Sequence, residues 1–379
     1  MTRYRGAVLT ALILVVAACT SAAPDSQDEG SSTVPSQTSQ PTPLSADSST
    51  STSAVPKSTQ AATPQPSCRS VETGPVENSS GPGDGVSDPA GRIAYAVVSR
   101  NDDAFGPIGT ELYAIDPDGT DHVLLLHCDV IRPQWSPDGS RLAFTLGFDD
   151  GSWQIATISA DGSDLQILTS GRGVSEIPSW SPDGSWIAYD GSDVSLDDPN
   201  FWVTLRQIAA DGSGAALLGD PDTFDAEPRL SPDGNYVTFV RYDPEADWAS
   251  EIVVRDLASG DERVVVSADI SVEHPEWAPD GGALIFNATD FAPEAGTIYT
   301  LDLDDPDATP VVLLDPANGW GGVKPVYSPN GARIVFVCFN TGEREDDLCI
   351  MDATGTNVTP LVDVPEVPEN HPTWGPPSP

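Results

Sequence analysis

The sequence predicts an all-β fold: a six-bladed β-propeller of four-stranded blades, closed by N- and C-terminal strands that share one blade, behind a disordered N-terminal tether. Three observations predict it. One short motif recurs at near-constant spacing. Each copy is a tight turn flanked by short apolar runs. Helical hydrophobic periodicity is absent between residues 90 and 379.

The motif is Trp135-Ser136-Pro137-Asp138-Gly139, followed by Arg141-Leu142-Ala143-Phe144. It returns from Trp180, with Trp186-Ile187-Ala188-Tyr189 behind it, and again from Leu230, Trp277 and Tyr327. Successive copies start 45 to 50 residues apart, and Trp374 opens a sixth. Pro suits the second position of a type I turn, Asp the third, and Gly the left-handed residue that closes it. Each motif therefore joins two strands. A third strand such as Gln154-Ile155-Ala156-Thr157-Ile158 follows, then a turn at Ala160-Asp161-Gly162-Ser163 and a fourth strand ending Ile167-Leu168-Thr169. Four short strands in roughly 40–50 residues make a propeller blade. The blade opened by Trp374 finds its other strands near Ile93, Leu112 and Leu124. Sharing that blade closes the ring and removes free sheet edges.

These repeats resemble the TolB-type (WD40-like) propeller repeat, Pro-x-Trp-Ser-Pro-Asp-Gly with Ile-Ala-Phe after it, from about residue 88 to residue 375. The resemblance implies the fold and leaves the role open, because the repeat serves many functions. Leu230 and Tyr327 stand for Trp, Ala278 for Ser and Asn330 for Asp, changes a core or a turn should tolerate. TolB proper carries an N-terminal α/β domain. Here a low-complexity tether takes that place, which argues against a direct equivalent.

In chain order, residues 1–18 read as a lipoprotein signal peptide. Arg3 and Arg5 give a basic start, and the apolar core from Ala7 to Val16 is too short to span a bilayer. Val16-Ala17-Ala18-Cys19 resembles a bacterial lipobox, which implies lipidation of Cys19. Residues 19–67, rich in Ser, Thr and Pro, lack the apolar surface to offset ordering entropy and read as a disordered tether. Residues 68–87 form an ordered lead-in, and 88–379 the propeller. The expected location is extracytoplasmic, with the membrane reached through the lipid alone.

Besides Cys19 there are four cysteines, an even number outside the cytoplasm, with three possible pairings. Cys338 and Cys349 flank one loop on consecutive strands and form the first expected disulfide. Cys68 is left to Cys128. The net charge of −41 excludes nucleic acid as a partner and indicates a solubilising surface. No cofactor or metal is expected, and a monomer is. The Asp-rich stretch at Asp302, Asp304, Asp305 and Asp307 lacks the Gly and terminal Glu of a helical calcium loop.

Function belongs on the face of the longer loops. An inner ring, expected just ahead of each innermost strand, holds Arg132, Glu176 with Ile177, Glu227, Glu273 with His274, Lys324, and Asn370 with His371. An outer ring of loop aromatics holds Phe105, Phe148, Trp153, Phe201, Trp202, Tyr242, Trp248 and Phe291, with Trp320 in a Gly-rich inter-blade loop. Trp202 and Trp320 are the strongest outer candidates. No Gly-x-Ser-x-Gly or His-Glu-x-x-His motif supports catalysis. The expected function is non-catalytic binding or scaffolding of a protein or cell-envelope component. The alternative is a glycan-binding or glycan-cleaving propeller using His274 with Glu273 or Glu227.

Overall fold

The computed structural model describes residues 64–66, 68, 91–99, 109–246, 248–267, 272–288, 296–340, 343–362 and 369–377. The signal, Cys19, most of the tether and lead-in, Phe105 and Phe291 lie outside the described residues.

Strands dominate. β1 (Ile93–Ser99), β2 (Gly109–Ile115) and β3 (Val123–His127) form a four-stranded sheet with the last strand, β24 (Glu369–Trp374). Trp374 pairs with Ile93, so the two ends of the domain share one sheet as expected. Next come β4 (Val130–Trp135), β5 (Arg141–Gly147), β6 (Trp153–Ser159) and β7 (Gln166–Ile167). They continue into β8 (Val174–Trp180), β9 (Trp186–Ser192), β10 (Thr204–Ala209) and β11 (Ala216–Leu217). Three more four-stranded sheets follow. They are β12 (Phe224–Leu230) to β15 (Glu262–Val266), with β13 (Tyr236–Asp243) and β14 (Ala249–Asp256) between; β16 (Val272–Trp277) to β19 (Val311–Leu314), with β17 (Ala283–Ala288) and β18 (Ile298–Asp302) between; and β20 (Trp320–Tyr327) to β23 (Thr359–Val362), with β21 (Arg333–Asn340) and β22 (Glu343–Asp352) between. The described helix is one short 3-10 turn, Pro316–Asn318.

The expectation of six separate blades is corrected in one respect. Four sheets have four strands, and the strands from β4 to β11 form a single eight-stranded sheet. A parallel pair, Trp153 with Val174, joins its halves. The cause is local. The Gln154 amide donates to Gly171 O (3.1 Å) and draws the Gly-rich connection onto β6.

The repeated turns fold as their residues require. Gly139 has φ 69°, and its N–H donates to Ser136 O (2.9 Å). Asp138 Oδ1 accepts from Ser136 Oγ (2.7 Å) and Ser140 N (3.0 Å). Asn330 keeps the acceptor oxygen, which takes Ser328 Oγ (2.8 Å) and Ala332 N (3.0 Å), so its replacement of Asp is tolerated. These turns also meet across the seams. A Cβ built on Gly234 would lie 3.5 Å from Pro182 Cδ, and one on Gly139 3.2 Å from Pro376 Cγ. Pro376 thus stands in the shared sheet where the turn proline stands elsewhere.

Each second strand buries one aromatic: Tyr95, Phe144, Phe239, Phe286 and Phe336 have no exposure, and Tyr189 has 3%. The motif tryptophans reach back to the first strand of the preceding repeat. Trp180 Nε1 donates to Gln134 O (3.3 Å) and Trp277 Nε1 to Arg229 O (3.0 Å).

Both expected disulfides are present, Cys338–Cys349 and Cys68–Cys128. The loop between the first pair is shorter than expected, because β21 and β22 continue past both cysteines. Beside the second, Gln65 N donates to Asp149 Oδ1 (3.1 Å) and Pro66 bridges Phe148, so residues 64–66 lie along the β5–β6 loop.

Phe286 is fully enclosed and stacks on Tyr299, ring centroids 5.6 Å apart. Phe286→Ala is expected to destabilise the domain by about 3–5 kcal/mol, the usual cost of a large core cavity. Denaturant unfolding checks this, and a loss below about 1 kcal/mol would show that the site collapses to fill the space.

Candidate functional site

The inner ring lies within the innermost strands, not ahead of them as expected. In each, the ladder breaks at an X-Pro pair: Arg132-Pro133, Ile177-Pro178, Glu227-Pro228, His274-Pro275, Lys324-Pro325 and His371-Pro372. Proline has no N–H to give the neighbouring strand, so a bulge forms. All six X residues have φ between 51° and 59°, a conformation uncommon outside glycine. The bulge re-aims the X side chain.

In four of the six, the X residue's own N–H is satisfied by a side chain from an earlier strand. Ile177 N donates to Thr145 Oγ1 (3.1 Å), Glu227 N to Asp190 Oδ2 (2.8 Å) and Lys324 N to Asn287 Oδ1 (2.9 Å). Thr145, Asp190 and Asn287 each follow the buried aromatic of a second strand. Where that position holds Val240, the Glu227 carboxylate substitutes, and Oε2 accepts from His274 N (2.6 Å).

The ring side chains converge. Glu227 Oε1 lies 3.8 Å from Arg132 Nη1 and 3.7 Å from His274 Nε2. His274 Nδ1 is 3.9 Å from Glu273 Oε2, and the His274 and His371 rings are 6.3 Å apart. Glu176 stands opposite Asp190 across the β8–β9 ladder. Asp190 was missed in the sequence reading, where nothing local separates it from any strand acid.

Electrostatics divides these groups. Burial opposes ionising Glu227, but His274, Arg132 and the His274 N–H outweigh it and hold the carboxyl below its usual range. Burial pushes Glu176 up, and burial with the nearby Glu176 pushes Asp190 well up. Burial takes His274 down to about 3, against Glu227 and with help from Lys324 and Arg132. His371 is lowered by burial, then by Lys324 and Arg132. Both imidazoles are therefore neutral near pH 7.

The outer ring mostly becomes packing. Trp202, Tyr242 and Trp248 gather edge-on around Phe224 at 5.4 to 5.9 Å, with Phe201 beside them. Trp202 Nε1 donates to Thr223 O (3.0 Å), so its polar edge is committed. Phe148 packs against the β5–β6 core. Trp320 begins β20, not a loop, and packs partly buried against the core around Phe336. Tyr242 changes role: Glu273 and Glu227, after burial, raise its hydroxyl pKa, which places it beside the inner ring. The other histidines are structural. His122 Nε2 meets Tyr95 OH at 2.5 Å and His127 Nδ1 meets Glu111 at 2.6 Å. At the Asp-rich stretch, Asp302 and Asp305 accept backbone N–H groups from Asp304 (2.9 Å) and Asp307 (3.0 Å).

The buried histidines give a signed pH dependence. Folded His274 binds its proton far less readily than the unfolded residue near 6.5, so the unfolded state holds more protons below that pH. Its stabilisation is full above 6.5 and is lost as pH falls from there toward about 3. Glu176 and Asp190 act oppositely, since raised carboxyls favour the fold at lower pH. Comparing His274→Gln with the parent isolates the imidazole. The variant should lose less stability between pH 7 and pH 5, by about 1.4 kcal/mol per unit below 6.5. Parallel stability–pH curves would overturn this.

No family model matches the chain. In sequence it is similar to the Tol-Pal system protein TolB of Francisella tularensis subsp. mediasiatica, 27% identical over 297 residues, which is 75% of this chain and 63% of that one. It is also similar to the Tol-Pal system protein TolB of Anaeromyxobacter dehalogenans, 29% identical over 124 residues, 33% of this chain and 26% of that one. The chain thus spans less than two thirds of the length of these curated relatives. In structure it is similar to TolB from Acinetobacter baumannii, with TM-score 0.58 and 21% identity over 76% of this chain and 67% of that one. It is also similar to Kuenenia stuttgartiensis hydrazine synthase, with TM-score 0.61 and 14% identity over 78% of this chain and 48% of that one. At such identities the structural likeness shows the fold alone. The chain is similar to TolB over its repeat region, and its fold is an all-β propeller.

Proposed function

We propose that this is a lipoprotein anchored outside the cytoplasm through Cys19, whose propeller binds a protein or envelope component at the mouth of its axis. We count the eight-stranded sheet as two blades bridged at Trp153 and Val174, which makes six. Residues 1–18 are then the signal, 19–67 the tether and 88–379 a monomeric propeller. The observation that carries the binding reading is the inner ring. Six bulges turn one residue per blade to a common position, and four of the six are Arg132, His274, Lys324 and His371. A surface meant only for solubility has no reason to gather them. Similarity to proteins named for the Tol-Pal system supports an extracytoplasmic role.

The reading is non-catalytic. An imidazole held down to about 3 is far from the working range of a general base near neutral pH. A net charge of −41 repels nucleic acid.

Two experiments test it. With a photo-crosslinking residue at Glu273, in the native host, a discrete protein adduct is expected, and its absence under efficient photolysis would sink the protein-partner form of the reading. Cys19→Ala should abolish incorporation of labelled fatty acid and move the protein out of the membrane fraction. Unchanged labelling would refute the anchor.

A further inference from the structure

Basic side chains are scarce in this chain, and several of them gather at the axis. The sequence has 58 acidic residues, 15 arginines and two lysines, Lys57 in the tether and Lys324 at the axis. Two of the four histidines, His274 and His371, are at the axis with Arg132. Along the succession of innermost strands β16, β20, β24 and β4, the bulge residues are His274, Lys324, His371 and Arg132. The remaining two strands bring the carboxyl groups of Glu176 and Glu227. Donors thus follow one another on four strands, with Glu273 beside His274, and the other two strands bring carboxyl groups.

Within the donor arc, Arg132 is loosely held. Arg92, Arg141, Arg206, Arg229, Arg241 and Arg255 each meet a carboxylate at 2.7 to 3.2 Å. Arg132 comes only to 3.8 Å of Glu227, with 9% of its side chain exposed, and its Nε is buried without a hydrogen-bond partner. Both ring nitrogens of His274 are buried without one too. A buried polar atom left without a partner is costly, so the cluster is an incomplete polar network.

We propose that the axis binds a carboxylate, with Arg132 and His274 as its donors and Lys324 completing the positive arc. This rests on the reading that the mouth binds a partner, and names the group that partner presents. A planar carboxylate matches the guanidinium fork. A single negative charge is also what the site tolerates, since Glu227 and Glu273 lie within 3.9 Å of His274 and would repel a dianion. Such a group can come from a peptide or from a uronic acid, and the test has an arm for each.

The full-length chain in detergent is titrated calorimetrically with two matched pairs: a capped Gly-Glu-Gly peptide against its Gln counterpart, and the methyl glycoside of galacturonic acid against its methyl ester. In at least one pair the acid should bind ten-fold or more tighter than the neutral form, and that pair identifies the source. Arg132→Gln should remove the preference. Lys324→Gln should weaken acid binding at least three-fold with an unchanged thermal midpoint, which guards against misfolding of the Arg132 variant. Equal binding of acid and neutral forms, no binding in either pair, or wild-type preference in folded variants would overturn the proposal. A protein adduct at Glu273 without carboxylate preference would refute the carboxylate and leave the binding reading. Carboxylate preference without an adduct would keep the carboxylate and remove the protein partner.

Discussion

The proline that follows each inner-ring residue is the constraint on which the molecule turns. An innermost strand needs its N–H groups for the ladder, and proline withholds one. The strand answers with a bulge, and the residue before proline takes a left-handed backbone six times over. That conformation is strained for any residue but glycine. It is sustained here because the freed N–H finds an acceptor on another strand, such as Asp190 for Glu227 or Asn287 for Lys324. One backbone event thus ties adjacent sheets together and aims a side chain at the axis.

This explains why the ring is chemically mixed while the fold is regular. The bulge demands a conformation and a following proline, and it is indifferent to the side chain it presents. Ile177, Glu227 and Lys324 occupy equivalent positions with nearly the same φ. The repeat therefore varies its ring without disturbing its strands. The carboxyl partners are less free. Glu227 uses one oxygen to hold the His274 backbone and leaves the other to face Arg132 and His274. A structural bond and the site's electrostatics share a single side chain.

Much of this was legible in the sequence where the physics is local. Ser-Pro-Asp-Gly announces its turn because the Ser136 and Asp138 side chains bond within a few residues of themselves. The inner ring was findable because it keeps a fixed offset from the motif's lead residue, as His274 does from Trp277. Contacts between distant segments were not legible. Asp190 reaches Glu227 across 37 residues and two strands. Trp202 looked like a surface anchor until Phe224 arrived beneath it. The pairing of Trp153 with Val174 depends on a Gly-rich connection pulled in by Gln154, and no periodicity encodes it.

The Cys68–Cys128 bond has a mechanical consequence. Residues 69 to 127 lie inside a covalent loop that includes β1, the strand on which the shared sheet closes. A pull on the chain ahead of Cys68 does not have to run through β1. It passes across the sulfurs to Cys128, just ahead of β4, which pairs with β5 on both sides of the Arg132-Pro133 bulge. Without the bond the same tension would peel β1 from β24 one hydrogen bond at a time, opening the ring like a zip. With it, the load bypasses β1 and falls on β4 instead.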